Sequence, residues 1–191
     1  MATTWFPTPG SPATGSFVAK DVAALSENND VRVLHLVAPR LAAGAPTQTE
    51  VGGVPVERVV MEPKDPRQHG AARAAIVERA SDADVLHTMA FSTLLPFLRH
   101  DRPQVPWVHT EHWHGVTTRV DLPLVMRLAT PLLLPVLRKP DVVTAVSKMA
   151  TAPIRDLRGD RPTSVVPCIA ATPAVVPARR VRAGTTAEGA P

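Results

Sequence analysis

Short aliphatic runs recur along this chain with helical patterns between them, and that alternation narrows its fold more than any other feature. Residues 3–6, 31–37, 54–61, 84–88, 106–112, 141–146 and 163–166 read as strands, 31–37 of the fully buried kind. Between them, residues 16–26 place Phe17, Val18, Val22 and Leu25 at helical spacing. Residues 68–80 and 91–99 read as two more helices, and Ser147 is placed to N-cap another that runs to about Leu157. Strands alternating with helices predict an α/β fold, a Rossmann-like doubly wound parallel sheet. The first strand is a stub, followed by a loop over residues 7–15. The pattern ends near residue 169; residues 170–191, dominated by Ala, Pro, Gly, Thr and Arg, read as a disordered tail. The predicted division is therefore one domain over 1–169 and a tail over 170–191.

A chain of 191 residues is long enough for one sizeable core. Its net charge of +4 is mild, and its Lys and Arg form no basic run interleaved with aromatics, which argues against nucleic acid as a partner. The single cysteine, Cys168, excludes an internal disulfide and a cysteine-based zinc site within one chain. The N-terminus shows no basic and apolar leader, so a cytoplasmic location is expected. The longest apolar stretch, residues 122–137, holds Arg127 and three prolines and is shorter than the roughly 20 residues that span a bilayer. It reads as a broken helix or helical hairpin packed on the domain. With Arg127, Arg138 and Lys139 flanking it, peripheral contact with the inner face of a membrane is a second expectation.

Chemistry concentrates in PWVHTEHWHG, residues 106–115. Ligands of open α/β sheets bind at the carboxyl ends of strands, so titratable groups there point to a site. Alternation along a strand puts His112 and His114 on one face and His109 and Glu111 on the other. His112 is placed to hydrogen-bond a sugar or phosphate, with Glu111 either holding it or acting as a base. The plain alternatives are a core His109 and a solvated His114. A metal site on His109, His112 and His114 would need ligands from both faces, so no metal is expected. His87, near the end of another strand, is placed to share the crevice or to be a buried neutral ring. Gly10, Gly15 and Ser16 lie in a loop before the first helix, where backbone amides can meet an anion, and a plain turn explains them equally well.

Five segments in order resemble the N-terminal domain of retaining GT-B glycosyltransferases of the family 4 type. They are FPTPGSPATGSFVAKDVAALSENNDVRVLHLVAP, DADVLHTMAF, VPWVHTEHWHG, PDVVTAVSKMATAPIRDL and SVVP. The resemblance runs from about Thr3 to Pro167. It implies the acceptor-side half of a GT-B fold, working with a nucleotide-sugar donor (a UDP- or GDP-sugar) and a glycan or lipid-linked acceptor, with no further cofactor. The resemblance implies that His112 lies near the transferred sugar; taken with the chemistry of the strand end, His112 and Glu111 are the expected catalytic residues. Gly15, Ser16, His87, His109, His114 and Ser147 contact substrate, the Gly15–Ser16 loop lying toward the donor diphosphate. Two departures stand out. Cys168-Ile169 replaces the Asn-Gly that follows the last strand in the family, and the donor-binding half is missing. The expectation is a chain inactive alone, truncated by a frameshift near residue 168 or completed by a separate C-terminal domain chain. A non-catalytic acceptor-binding module and a histidine-based metal-dependent hydrolase are the alternatives.

Overall fold

The computed structural model describes residues 1–118, 120 and 122–169. The tail over 170–191 lies outside the described residues. Eight strands form one sheet: β1 (Ala2–Thr3), β2 (Val33–Val37), β3 (Gln48–Val51), β4 (Val54–Val60), β5 (Leu86–Met89), β6 (Trp107–Glu111), β7 (Val142–Ala145) and β8 (Thr163–Val165). Their order is β3-β4-β2-β1-β5-β6-β7-β8. All neighbours pair in parallel except β3 and β4, which pair antiparallel. The helices are α1 (Ser16–Ser26), α2 (Pro39–Ala42), α3 (Pro66–Ala80), α4 (Leu124–Leu133) and α5 (Lys148–Arg158). The α/β doubly wound reading holds.

The chain winds outward from β1 through β2 to β4 and then returns to β5 on the other side of β1. The winding reverses between β1 and β5, which sets the crevice of an open α/β sheet at their carboxyl ends. β1 is short because Thr3 ends it: its Oγ1 accepts the Trp5 N–H at 3.0 Å and turns the chain away. β3 was not expected from sequence. It forms a hairpin with β4 through Gly52 (φ 58°) and Gly53 (φ 81°), the paired left-handed conformation a two-residue hairpin turn requires. The predicted helix over 91–99 is a 3-10 helix over Phe91–Phe97, with Pro96 inside it.

Each face of the sheet has its own core. On one, Phe6, Val18, Val22, Val33, Val56 and Met89 pack beneath α1. On the other, Leu34, Leu36, Ile76, Phe97, Trp107, Val143 and Ile154 pack against α3, α5 and the 3-10 segments. Ser147 caps α5 as expected, its Oγ accepting the Ala150 N–H at 3.1 Å. Residues 122–137 form the expected broken helix: α4 holds Pro131, which cannot donate to the turn before it, and gives way to a 3-10 turn over Leu134–Arg138. No helix among the described residues is long and apolar enough to cross a membrane.

Two helices that follow adjacent strands bury opposite kinds of face. α5 turns Ala150, Thr151, Ile154 and Arg158 inward. α4 buries only Thr130 and leaves Leu124, Val125, Leu128 and Leu132 at 66%, 77%, 68% and 80% exposure.

Candidate functional site

β6 enters the interior as a strand of large apolar and aromatic side chains and carries its polar groups to the crevice. Trp107, His109 and Glu111 share one face, as strand alternation requires, and all three are fully buried. Their polar atoms form one chain of hydrogen bonds. Trp107 Nε1–H donates to Thr88 Oγ1 at 2.9 Å, and Thr88 Oγ1 lies 3.0 Å from His109 Nδ1. His109 Nε2 lies 3.2 Å from Glu111 Oε2. Glu111 Oε1 then accepts the backbone N–H groups of His112 (2.9 Å) and Trp113 (2.8 Å). The tautomer with hydrogen on Nε2 of His109 satisfies every member, which a buried polar network needs if it is not to destabilise the core.

The last link explains where β6 stops. A carboxyl oxygen takes the two N–H groups that would have continued the ladder, so the strand ends at Glu111. The alternation expected to place His112 and His114 on one face is thereby broken. His112 stays on the Thr110 side of the sheet, whereas His114 begins a 3-10 turn, His114–Val116. The position of the His114 side chain lies outside the described residues. A Cβ at Gly115 would come within 2.1 Å of the Trp113 ring, so a larger residue in that turn has to push that side chain aside.

His112 is half-buried, and among the described residues its ring keeps unused hydrogen-bonding capacity. Its ring packs on Phe17 of α1 at 4.5 Å between centroids. Nδ1 lies 3.7 Å from the Cys168 thiol, while the buried Nε2 has no partner among the described residues. Burial holds its pKa below the ordinary histidine value, against the opposing pull of the Glu111 carboxyl. The Cys168 thiol is pushed up by burial and by the nearby Asp21. Neither Phe17 nor Cys168 was expected at the site. They lie far from His112 in sequence, and only the packing of α1 and the exit from β8 brings them there.

The N-terminus of α1 forms the opposite wall. Gly15 caps it in the left-handed conformation (φ 68°) with no side-chain cap, and Ser16 is exposed beside it. A Cβ at Gly15 would sit 2.4 Å from the carbonyl carbon of Trp5, so only glycine lets the helix start press onto the chain leaving β1. Across the reversal of the winding, Thr4 N–H donates to Thr93 Oγ1 at 3.1 Å and ties that chain to the segment after β5. Ala90, the first residue past β5, has a φ of 70°, a conformation L-residues other than Asn and Asp rarely hold. Sequence carries no mark of it, since nothing about an alanine announces positive φ.

The remaining candidates lie apart from this wall. His87 shares the α1 face with Thr110, and its Nε2 lies 2.7 Å from Thr110 Oγ1, which in turn lies 2.8 Å from Thr144 Oγ1. Burial, with smaller contributions from His109 and His112, lowers its pKa to about 4. With Met1, Arg32, Glu57, Arg79 and Asp82 it also lines a cavity of about 810 Å³ at the amino-terminal edge of the sheet, away from the crevice. Ser147 is exposed at the head of α5, its Oγ occupied as the cap. Among the described residues no group of three or more His, Cys, Asp or Glu could hold a metal ion.

The family model of the glycosyl transferase 4-like domain matches residues 14–168. This chain belongs to the glycosyl transferase 4-like domain family. The match begins after β1 and takes in α1, β2 through β8, His112 and Cys168. Among solved structures, a sucrose-phosphate synthase from Thermosynechococcus elongatus matches with 88% of each chain covered, 15% identity and a TM-score of 0.52. That likeness concerns the fold: this is a GT-B, Rossmann-like glycosyltransferase domain. No curated protein matches the chain.

Proposed function

We propose that this glycosyl transferase 4-like domain is the acceptor-side half of an enzyme that moves a sugar from a nucleotide-sugar donor to a glycan or lipid-linked acceptor. The observation that carries the reading is His112: it follows the last residue of β6, half-buried against Phe17, and its buried Nε2 has no hydrogen-bond partner among the described residues. In this reading Nε2 meets a hydroxyl of the transferred sugar, and the lowered pKa keeps the ring neutral at pH 7. Glu111 acts through His112. Both of its oxygens are engaged and it has no exposed surface, so of its two expected roles, holding fits and proton transfer to substrate does not.

Gly15 and Ser16, at an α-helix N-terminus without a side-chain cap, would approach the donor diphosphate. His109 supports the site from beneath through Glu111. Ser147 borders it only through the end of β7, and His87 lies deeper in β5 and reaches β6 only through Thr110. Stabilising the charge that develops on a departing nucleotide requires cationic or amide donors around the diphosphate. The α1 N-terminus alone is a small share of that, which supports a need for a donor-binding half.

The test is sugar transfer by the purified chain, with UDP- and GDP-sugars and a panel of glycan and lipid-linked acceptors. The expected result is no product from the chain alone, and product when a donor-binding half is added in trans. His112→Ala should remove that product while leaving the fold intact by circular dichroism. Efficient transfer by the chain alone would overturn the half-enzyme reading. Unchanged transfer by His112→Ala would overturn the role of His112.

A further inference from the structure

β1 is two residues long and lies in the middle of the sheet between longer strands. Its place is fixed by Ala2, which pairs with Leu34 of β2 and Thr88 of β5. β5 begins two residues before Thr88, at Leu86, and β4 begins two residues before Val56, the partner of Val33. The central strand therefore starts later than the strands around it. The cavity of about 810 Å³ lies at this amino end of β1. Leu25 and Val31 line it on the α1 side of the sheet, and Ile76, Ala80 and Leu86 on the α3 side. Its charged residues already answer one another, Arg32 with Asp82 at 3.0 Å and Arg79 with Glu57 at 2.8 Å, so the lining that lacks a match is apolar.

A cavity that wraps both faces of a sheet suits one kind of occupant, because a strand is the element whose alternate side chains point to both faces. The hydrogen bonds give its register. The Met1 carbonyl accepts the Leu34 N–H at 2.8 Å, and the Met1 amino group donates to the Arg32 carbonyl, so Met1 turns its backbone to β2. On β5 the Leu86 N–H donates away, to the Pro106 carbonyl beside β6, which turns the His87 N–H toward β1. Parallel ladders repeat every two residues. A residue joined ahead of Met1 thus meets the His87 N–H with its carbonyl and follows Ala2 to the α3 side, toward Ile76 and Ala80. The residue before that meets the Arg32 N–H and follows Met1 to the α1 side, toward Leu25 and Val31.

We propose that this cavity is a strand seat, and that its occupant is an extended apolar segment of about three residues, continuous with the Met1 nitrogen, that lengthens β1 between β2 and β5. β-Branched residues fit it best, since both neighbours are parallel strands covered on each face. β1 leads straight to Trp5, against which Gly15 presses, so a seated segment also steadies the α1 wall of the crevice. The seat itself does not depend on the glycosyltransferase reading.

The test compares the 191-residue chain with the same chain carrying Val-Ile-Val, or Gly-Ser-Gly, ahead of Met1. Val-Ile-Val should raise the folded-to-unfolded ratio, from urea unfolding, by more than about tenfold, because apolar burial outweighs the ordering of so few residues. Gly-Ser-Gly should leave it nearly unchanged. Hydrogen exchange at the Arg32 and His87 amides should slow by more than about tenfold with Val-Ile-Val alone. Leu25→Asp, at a partly exposed position of the lining, should remove most of the gain from Val-Ile-Val while costing the unextended chain little. Equal stability with the two extensions would overturn the proposal, as would a gain without slower exchange at Arg32 and His87. A separate peptide ending in Val-Ile-Val that gave the same gain at equal concentration would overturn the assignment of the seat to a continuous segment.

Discussion

His109 and His112 stand three residues apart at the end of one strand and have opposite fates. His109 is sealed, with both ring nitrogens engaged between Thr88 and Glu111 and no exposed surface. His112 is half-buried, resting on Phe17, with its Nε2 unpartnered among the described residues. Glu111 makes the difference: it completes the hydrogen bonding of one ring and, by taking two backbone N–H groups, ends the strand that carries the other. A closed network can only position its neighbours, whereas a group with unused hydrogen-bonding capacity at a crevice can bind. Two histidines that look alike in the sequence are thus a support and a candidate ligand-binding group.

The contrast breaks most directly at Glu111. Glu111→Ala would leave His109 and two backbone N–H groups without acceptors in a dry interior, and should cost about 3–5 kcal/mol, read from a urea midpoint. Glu111→Gln keeps an oxygen for the two amides and should cost clearly less. Equal losses from both would show that the amides are not what Glu111 secures.

The histidines on the other face sharpen the contrast through pH. Burial lowers the pKa of His35 to about 4, with the positive charge of Arg58 adding to it, and that of His87 also to about 4. Between pH 6.5 and 4 the unfolded chain therefore binds more protons than the folded one. The stability these rings contribute is full above pH 6.5 and is lost as pH falls toward 4, by at most about 1.4 kcal/mol per pH unit for each ring. Urea midpoints between pH 7 and pH 4.5 should fall accordingly, and the slope should shrink in His35→Phe. A flat profile would mean that neither ring is held neutral by the fold.

Gly15→Ala tests the wall that His112 faces. A methyl 2.4 Å from the Trp5 backbone, at a φ of 68°, should cost about 1–3 kcal/mol and shift Phe17 away from the His112 ring. The His112 resonances by NMR report that shift. The smallest effect on folding is expected at His112 itself: His112→Ala should cost less than about 1 kcal/mol. A loss as large as that of Glu111→Ala would make His112 part of the support and erase the distinction.

The elements legible in the sequence were those set by local pattern. The strand over Trp107–Glu111, the cap at Ser147, the helix Ser16–Ser26 and the broken helix after residue 122 each follow from spacing, capping chemistry or proline. The hairpin β3–β4 was also signalled, by Gly52-Gly53. The strand itself carries no apolar pattern, because Gln48, Thr49 and Glu50 are consecutive polar residues on an edge strand of which little is buried. What stayed illegible was every relation across the sheet. Phe17 and Cys168 reach His112 through packing, Thr88 reaches His109 through register, and Ala90 is forced to positive φ by the chain around it. The family resemblance located the cluster without saying which histidine was sealed.

By itself the sequence determined that strands and helices alternate, that polar groups gather at the end of one buried strand, and that an apolar stretch broken by proline follows it. These are consequences of hydrophobic period and backbone stereochemistry, which act over a few residues. Tertiary structure alone decided that Glu111 turns back on the backbone, that His112 Nε2 has no partner among the described residues, and that Leu124, Val125, Leu128 and Leu132 of α4 face out while Ile154 of α5 faces in. Orientation and hydrogen-bond satisfaction depend on which neighbours a residue meets in space, and those neighbours are drawn from distant parts of the chain.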